Sequence, residues 1–184
     1  PAAKVVLAED DDMADYDMVP EVIDEVLETR QYQQDARDAC ISEMSRLGRT
    51  TLVMACRCGK TRVAQMVLAR FMGAFMTVVG TTSAVLFLVP SRSLLRQSAM
   101  KLASYFAAPG ELSVRILMVG SEDGVGRGRG LLPLHLMTTS AEEIRAARKE
   151  ALAAGQHLVV VSTYQSSHLA VELAGPFATT VFDE

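Results

Sequence analysis

Cysteine, histidine and aromatic residues are scarce in this chain: three Cys, three His, six Phe, four Tyr and no Trp occur among 184 residues. Three cysteines cannot build the cross-linked framework of a small secreted domain, and two of them, Cys56 and Cys58, sit in one short loop. That usage points to an intracellular, reducing compartment. No second Cys/His pair stands at ligand spacing from Cys56 and Cys58, which excludes a zinc site. His135, His157 and His168 have no partner pattern and read as structural or exposed. No signal peptide is visible. No charged residue lies between Arg70 and Arg92, a length that would suit a membrane span. Gly73, Gly80, Thr81, Thr82 and Ser83 interrupt that stretch and Pro90 ends it. It therefore reads as a helix end, a loop and a buried strand, and no membrane segment is expected. Internal repeats and domain linkers are also absent.

What is present begins with an uneven charge distribution. Residues 1–28 hold ten acids and one base, Lys4, for a net −9, while the rest of the chain carries +5. An acidic leader, 1–28, partly disordered or helical from Val19 to Thr29, thus precedes a mildly basic body, 29–184. The body is long enough for one domain with a sizeable core.

The stretch Met54-Ala55-Cys56-Arg57-Cys58-Gly59-Lys60-Thr61 organises that body. It follows a short apolar run, Thr51-Leu52-Val53, read as a strand, and precedes a helical pattern from Val63 to Phe71. A strand turning through Gly-Lys-Thr into a helix is a phosphate-binding P-loop. Backbone N–H groups at a helix N-terminus face phosphate oxygens, and the helix dipole favours their negative charge. Lys60 is expected to reach the β- and γ-phosphates, and the Thr61 hydroxyl to ligate Mg²⁺. Arg57 stands where many P-loops carry Gly; a Cβ makes φ > 0 costly, so a negative φ is expected there. Cys56 and Cys58, beside a helix N-terminus, are candidates for oxidation.

Further elements follow at regular intervals. Residues 31–47 carry apolar residues at helical spacing (Ala36, Cys40, Met44, Leu47), with Gly48 at the C′ position. Ala84 to Val89 is a continuous apolar run, as in a strand buried on both faces. A helix runs from Pro90-Ser91 to about Phe106 and is closed off by Pro109-Gly110. Ser113 to Val119 is a third strand, and the loop Gly124–Gly130 carries Arg127 and Arg129, either near nucleic-acid phosphates or in a plain surface insertion. Leu134 to Met137 reads as a short strand. Ser140-Ala-Glu-Glu143 is a capping box opening a helix that ends near Gly155. A buried strand, His157 to Ser162, leads into a short helix, Gln165 to Leu173, and Thr179 to Phe182 is the last strand. This alternation predicts a doubly wound α/β domain: a mainly parallel sheet with helices on both faces.

The polar motifs fall at the carboxyl ends of these strands, where open parallel sheets bind ligands. The last strand ends in Asp183-Glu184, the pattern a Walker B site needs. Asp183 would hold the Mg²⁺ shell, and Glu184 would orient or deprotonate the attacking water.

Taken together, the motifs resemble the first RecA-like motor domain of superfamily 2 helicases and translocases, over roughly residues 27–184. Met54 to Thr61 looks like motif I, Arg30-Gln31-Tyr32-Gln33 like the Q motif with Gln31 in place of Pro, and Val89 to Gln97 like motif Ia. Ser162-Thr163-Tyr164-Gln165-Ser166 is similar to a segment that faces nucleic acid, and Val181-Phe182-Asp183-Glu184 to the start of motif II. The wording leans toward restriction-type and large-virus helicases. The resemblance implies ATP with Mg²⁺ as cofactors and Lys60, Asp183 and Glu184 as catalytic residues. Nucleotide contacts would come from Arg30, Gln33, Ala55, Cys56, Arg57, Cys58, Gly59, Lys60, Thr61 and Arg62, with Gln33 on the adenine edge and Tyr32 either supporting it or merely packing. Ser91, Arg92 and Thr163 would touch phosphates of one DNA or RNA strand; Gln97 and Gln165 read equally well as surface residues. It also implies a second RecA-like domain supplying an arginine finger, and hence that this chain is a piece of a longer helicase. Two other readings stand beside this one: a different P-loop enzyme, with the GTPase version disfavoured because Asn-Lys-x-Asp is absent, and a non-enzymatic interaction module with a vestigial nucleotide site.

Overall fold

The computed structural model describes residues 29–108, 112–121 and 137–183. The acidic leader, Pro109-Gly110, the loop carrying Arg127 and Arg129, His135 and Glu184 lie outside the described residues.

Among the described residues four strands, β1 (Ala84–Val89), β2 (Val114–Val119), β3 (His157–Thr163) and β4 (Thr179–Phe182), form one sheet in the order β2-β3-β1-β4. Every pairing is parallel, with Val89 opposite Thr163 and Leu88 opposite Phe182. Helices α1 (Gln31–Leu47), α2 (Lys60–Val79), α3 (Arg92–Phe106), α4 (Ala141–Ala153) and α5 (Ser167–Ala174) surround it, with a 3₁₀ turn at Tyr164–Ser166 before α5. The expected α/β class and the strand positions after the P-loop helix are as the sequence reads. Thr138 makes a single parallel bridge to Val119, one residue past the short strand expected at Leu134 to Met137; Met137 itself is not in a strand, and residues 134–136 lie outside the described residues.

The period of two along each strand sorts side chains between two cores. Val85, Phe87 and Val89 of β1 pack with Leu68 and Met72 of α2 and Leu95, Ala99 and Leu102 of α3. Leu86 and Leu88 face the opposite way, against Ile144 and Ala147 of α4 and Ala170 and Leu173 of α5. Fully burying each such aliphatic side chain is worth about 1.5–3 kcal/mol, so β1 with both faces covered anchors the domain. Outside these layers α1 packs on α2 through Cys40, Val63, Met66 and Val67.

Two expectations are corrected. Thr51-Leu52-Val53 is not a strand: among the described residues nothing forms a ladder with it, and Val53 is 88% exposed. Its extended alternation survives, since Leu52 and Met54 lean on the α1–α2 cluster while Thr51 and Val53 point outward. A strand needs a hydrogen-bonding neighbour as well as a pattern, and β4, at the sheet edge, does not pair with it. The helix after the loop is also longer than Val63 to Phe71, running from Lys60 to Val79 before Gly80 caps it at φ 73°. Gly73 is accommodated inside it, so the uncharged stretch is partly helix. This is the one helix among the described residues long and apolar enough by composition to cross a membrane, and its Val63, Met66, Val67, Leu68 and Met72 are buried within the domain.

Candidate nucleotide and nucleic-acid site

The loop before α2 is closed by a hydrogen bond from the Cys58 amide to the Ala55 carbonyl at 3.3 Å. Arg57 adopts φ 65°, contrary to the negative value expected, and Gly59 follows at φ 85°. A left-handed residue with a Cβ costs about 1–2 kcal/mol. The turn imposes it because the next carbonyl, that of Cys58, is held from outside the loop. It accepts hydrogen bonds from the Tyr32 hydroxyl and from Gln33 Nε2, each at 3.2 Å. Tyr32 and Gln33 thus brace the loop from the first turn of α1. Gln33 is 8% exposed, and its Oε1 accepts from the Arg30 amide at 3.2 Å.

Gly59 is the N-cap of α2, with no side-chain cap and no acid in the first turn. No carboxylate within the helix's own first turn therefore offsets the positive end of its dipole. Lys60 and Thr61 begin the helix, half-buried, and Arg57 and Cys56 are exposed. Arg62 turns away from the loop, its guanidinium lying 4.7 Å from the Tyr105 ring centroid.

Asp183 enters from the carboxyl end of β4, where its amide donates to the Leu88 carbonyl at 2.9 Å. Burial pushes its carboxyl above the ordinary carboxylate value, and the positive charges of Lys60 and Lys101 pull it back. Lys60 and Asp183, 123 positions apart, therefore share one electrostatic environment. Their oxygen and ammonium chemistry fits a phosphate-bound hard cation: the Thr61 hydroxyl and the Asp183 carboxylate are the donor types Mg²⁺ prefers. Cys56 and Cys58 belong to no group of three or more candidate metal ligands among the described residues.

On the other side of β1, Ser91 and Thr163 stand at the ends of neighbouring strands. Ser91 caps α3 by accepting from the Leu94 amide at 3.3 Å, and Arg92 begins that helix, exposed. Thr163 is 6% exposed, and its hydroxyl accepts from the Ser166 amide at 3.3 Å. Both hydroxyls thus shape the turns that follow their strands, and Arg92 is the accessible cation of the three. Gln97 and Gln165 are exposed. His157 is buried and bonded to Ser83, and His168 is exposed, both as expected.

Tyr164 and Lys101 carried no assigned role in the sequence. Tyr164 bonds to the Asp183 carbonyl at 3.2 Å and its ring stacks on Phe182, while Lys101 reaches Asp183 electrostatically. Sequence separation hides both contacts; no local pattern announces them.

Comparison with known proteins agrees with this fold. Residues 26–184 match the family described as type III restriction enzyme, res subunit (ResIII). The chain is 36% identical over 146 residues to the probable helicase A859L of African swine fever virus, isolate Tick/Malawi/Lil 20-1/1983. It is 38% identical over 149 residues to the protein of the same name from the Badajoz 1971 Vero-adapted strain. Each alignment covers 79% of this chain and 15% of the relative, so the chain spans about a seventh of their length. A solved structure, a nuclease-deletion mutant of the type ISP restriction-modification enzyme LlaGI in complex with a DNA substrate mimic, superposes with a TM-score of 0.66 at 28% identity. It covers 85% of this chain and 15% of that one. With the family matched over residues 26–184, the chain belongs to the ResIII family, as a RecA-like first motor domain of the superfamily 2 helicase type.

Proposed function

We propose that this chain is the ATP-binding half of a nucleic-acid-dependent motor that couples ATP hydrolysis to movement on, or unwinding of, DNA or RNA. The observation that carries the reading is the convergence of Lys60, at an uncapped helix N-terminus, with Asp183 at the end of β4. Lys60 and the first-turn amides of α2 would hold the β- and γ-phosphates, and Thr61 with Asp183 would hold Mg²⁺. The bound cation would supply charge neutralisation at the phosphates. Glu184, next in the chain, is the proposed base for the attacking water. Arg30 would flank the adenine, and Gln33 would bond its edge. Gln33 already uses both ends of its amide, Nε2 on the Cys58 carbonyl of the loop and Oε1 on the Arg30 amide at the start of α1. An amide still has one further donor hydrogen and one further lone pair, so both tasks are compatible.

Along the carboxyl ends of β1 and β3, Arg92 would contact strand phosphates, and Ser91 and Thr163 would hold the turns that present it. Such contacts are salt-sensitive and indifferent to sequence. Support for DNA as the track comes from the DNA-bound structural neighbour.

Calorimetry with Mg-ADP tests the nucleotide site: Lys60→Ala should remove most binding, because a charge-assisted contact to phosphate is lost. Equal affinity in both proteins would overturn the assignment. For the nucleic-acid face, Arg92→Ala should weaken single-strand binding equally for every sequence tried. Loss confined to particular sequences would mean base contacts instead.

A further inference from the structure

A second cationic feature lies beside the nucleotide loop and is not used by it. Between α1, α2 and the end of α3 there is a cavity of about 340 Å³ whose walls include Arg37, Arg62, Arg70, Tyr105 and Thr29. No acid lines it. Arg37 is paired with Asp38 at 2.8 Å, and Asp38 is exposed. Three guanidiniums thus gather around one space, and one of them has a paired carboxylate. Arg62 Nε is buried and has no hydrogen-bond partner among the described residues, which is costly for a charged donor. The cavity has the chemistry of a carboxylate or phosphate site, since guanidinium forks bind both.

The position of Thr29 decides between these occupants. It forms part of the wall, so the segment leading into it starts at the cavity itself. That segment, residues 21–28, contains Glu21, Asp24, Glu25 and Glu28 and no base. At up to about 3.6 Å per residue, Glu25 and Glu28 are within about 14 Å of Thr29. A tethered carboxylate also has an effective concentration in the millimolar range, which a free anion must match. We propose that the arginine cavity between α1 and α2 is the docking site of the chain's own acidic leader, through the carboxylates of residues 21–28.

The test uses the full chain and no nucleotide, so it stands apart from the motor assignment. Arg70 is exposed, and Arg70→Lys keeps its charge while placing a primary amine on the cavity wall. Zero-length carbodiimide coupling then joins that amine to any carboxylate in contact, and peptide mapping identifies the partner. The expected product is a link to Asp24, Glu25 or Glu28 within a monomer. It should be lost when these three are changed to Asn, Gln and Gln, and suppressed several-fold in about 1 M salt, where the Debye length is about 3 Å. Arg37→Lys supplies an independent amine with the same expectation. Coupling to Asp38 alone, or none from an amine that an acylating reagent still modifies, would overturn the proposal. Links found only between two chains would assign the cavity to a second copy. Loss of the link in millimolar inorganic phosphate, but not in matched chloride, would assign it to phosphate.

Discussion

The phenol of Tyr164 donates a hydrogen bond to the backbone carbonyl of Asp183 at 3.2 Å, and its ring stacks on Phe182 with centroids 6.5 Å apart. The segment expected to face nucleic acid is thereby fastened to the residue expected to hold the metal. Tyr164→Phe removes the hydrogen bond and keeps the stacking, so it should cost about 1 kcal/mol. Tyr164→Ala should cost more by losing the ring pair, itself worth about 0.5–1.5 kcal/mol. Urea unfolding checks the order; equal losses would mean the ring adds nothing beyond its hydroxyl.

The Arg57 prediction follows from its φ of 65°. Glycine adopts that conformation without a Cβ clash, so Arg57→Gly should stabilise the chain by about 1 kcal/mol, less the entropy that glycine loses on folding. Thermal melting measures the sign. A clear fall in Tm would show that the Arg57 side chain makes contacts outweighing its backbone strain.

Gln33→Ala should weaken adenine nucleotides while largely sparing inorganic triphosphate. It also frees the Cys58 carbonyl from one of its two donors, so a small general loss is expected on both ligands. Isothermal titration with ADP and with triphosphate separates the effects. Equal losses would reduce Gln33 to a loop brace.

His157 sets a pH dependence. It is 1% exposed, its Nδ1 accepts from the Ser83 amide at 3.0 Å, and burial lowers its pKa below 6.5. The folded protein therefore holds the ring neutral where the unfolded chain begins to bind a proton. Stability from this group is complete above about 6.5 and is lost as pH falls from there through the lower folded value. Denaturant midpoints should decline as the pH falls below about 6.5. In His157→Gln, less stable throughout, that decline should flatten; an unchanged slope would place the titration elsewhere.

Turnover should be negligible in this chain alone. The γ-phosphoryl transition state needs a cationic clamp, worth about 10³–10⁵ in rate. On the loop Arg57 is exposed, and Arg62 is turned onto Tyr105. Joining a second RecA-like domain should bring nucleic-acid-stimulated hydrolysis, and Glu184→Gln in that longer protein should abolish turnover while sparing binding. Brisk Lys60-dependent hydrolysis by the isolated chain would overturn this and make Arg57 the first residue to change.

Local pattern by itself determined much of this protein. The apolar run of β1, the Ser140 N-cap, the Gly48 terminus and the Gly-Lys-Thr loop each carry their structure within a few residues, because capping, periodicity and loop chemistry act at short range. The full capping box expected at Ser140 does not form, since the Ser140 amide donates to the Thr138 hydroxyl and not to Glu143. Asp183 was likewise legible, as a carboxylate ending an apolar strand. Tertiary structure decided what depends on partners far along the chain. It kept Thr51–Val53 out of the sheet for want of a pairing neighbour, and it turned Arg57 left-handed because Tyr32 and Gln33 pin the next carbonyl. It also brought Tyr164 and Lys101 to Asp183 and gathered three arginines around Thr29. Hydrogen bonds, charge fields and cavities require that two segments meet in space, and only the packed sheet and helices fix that meeting.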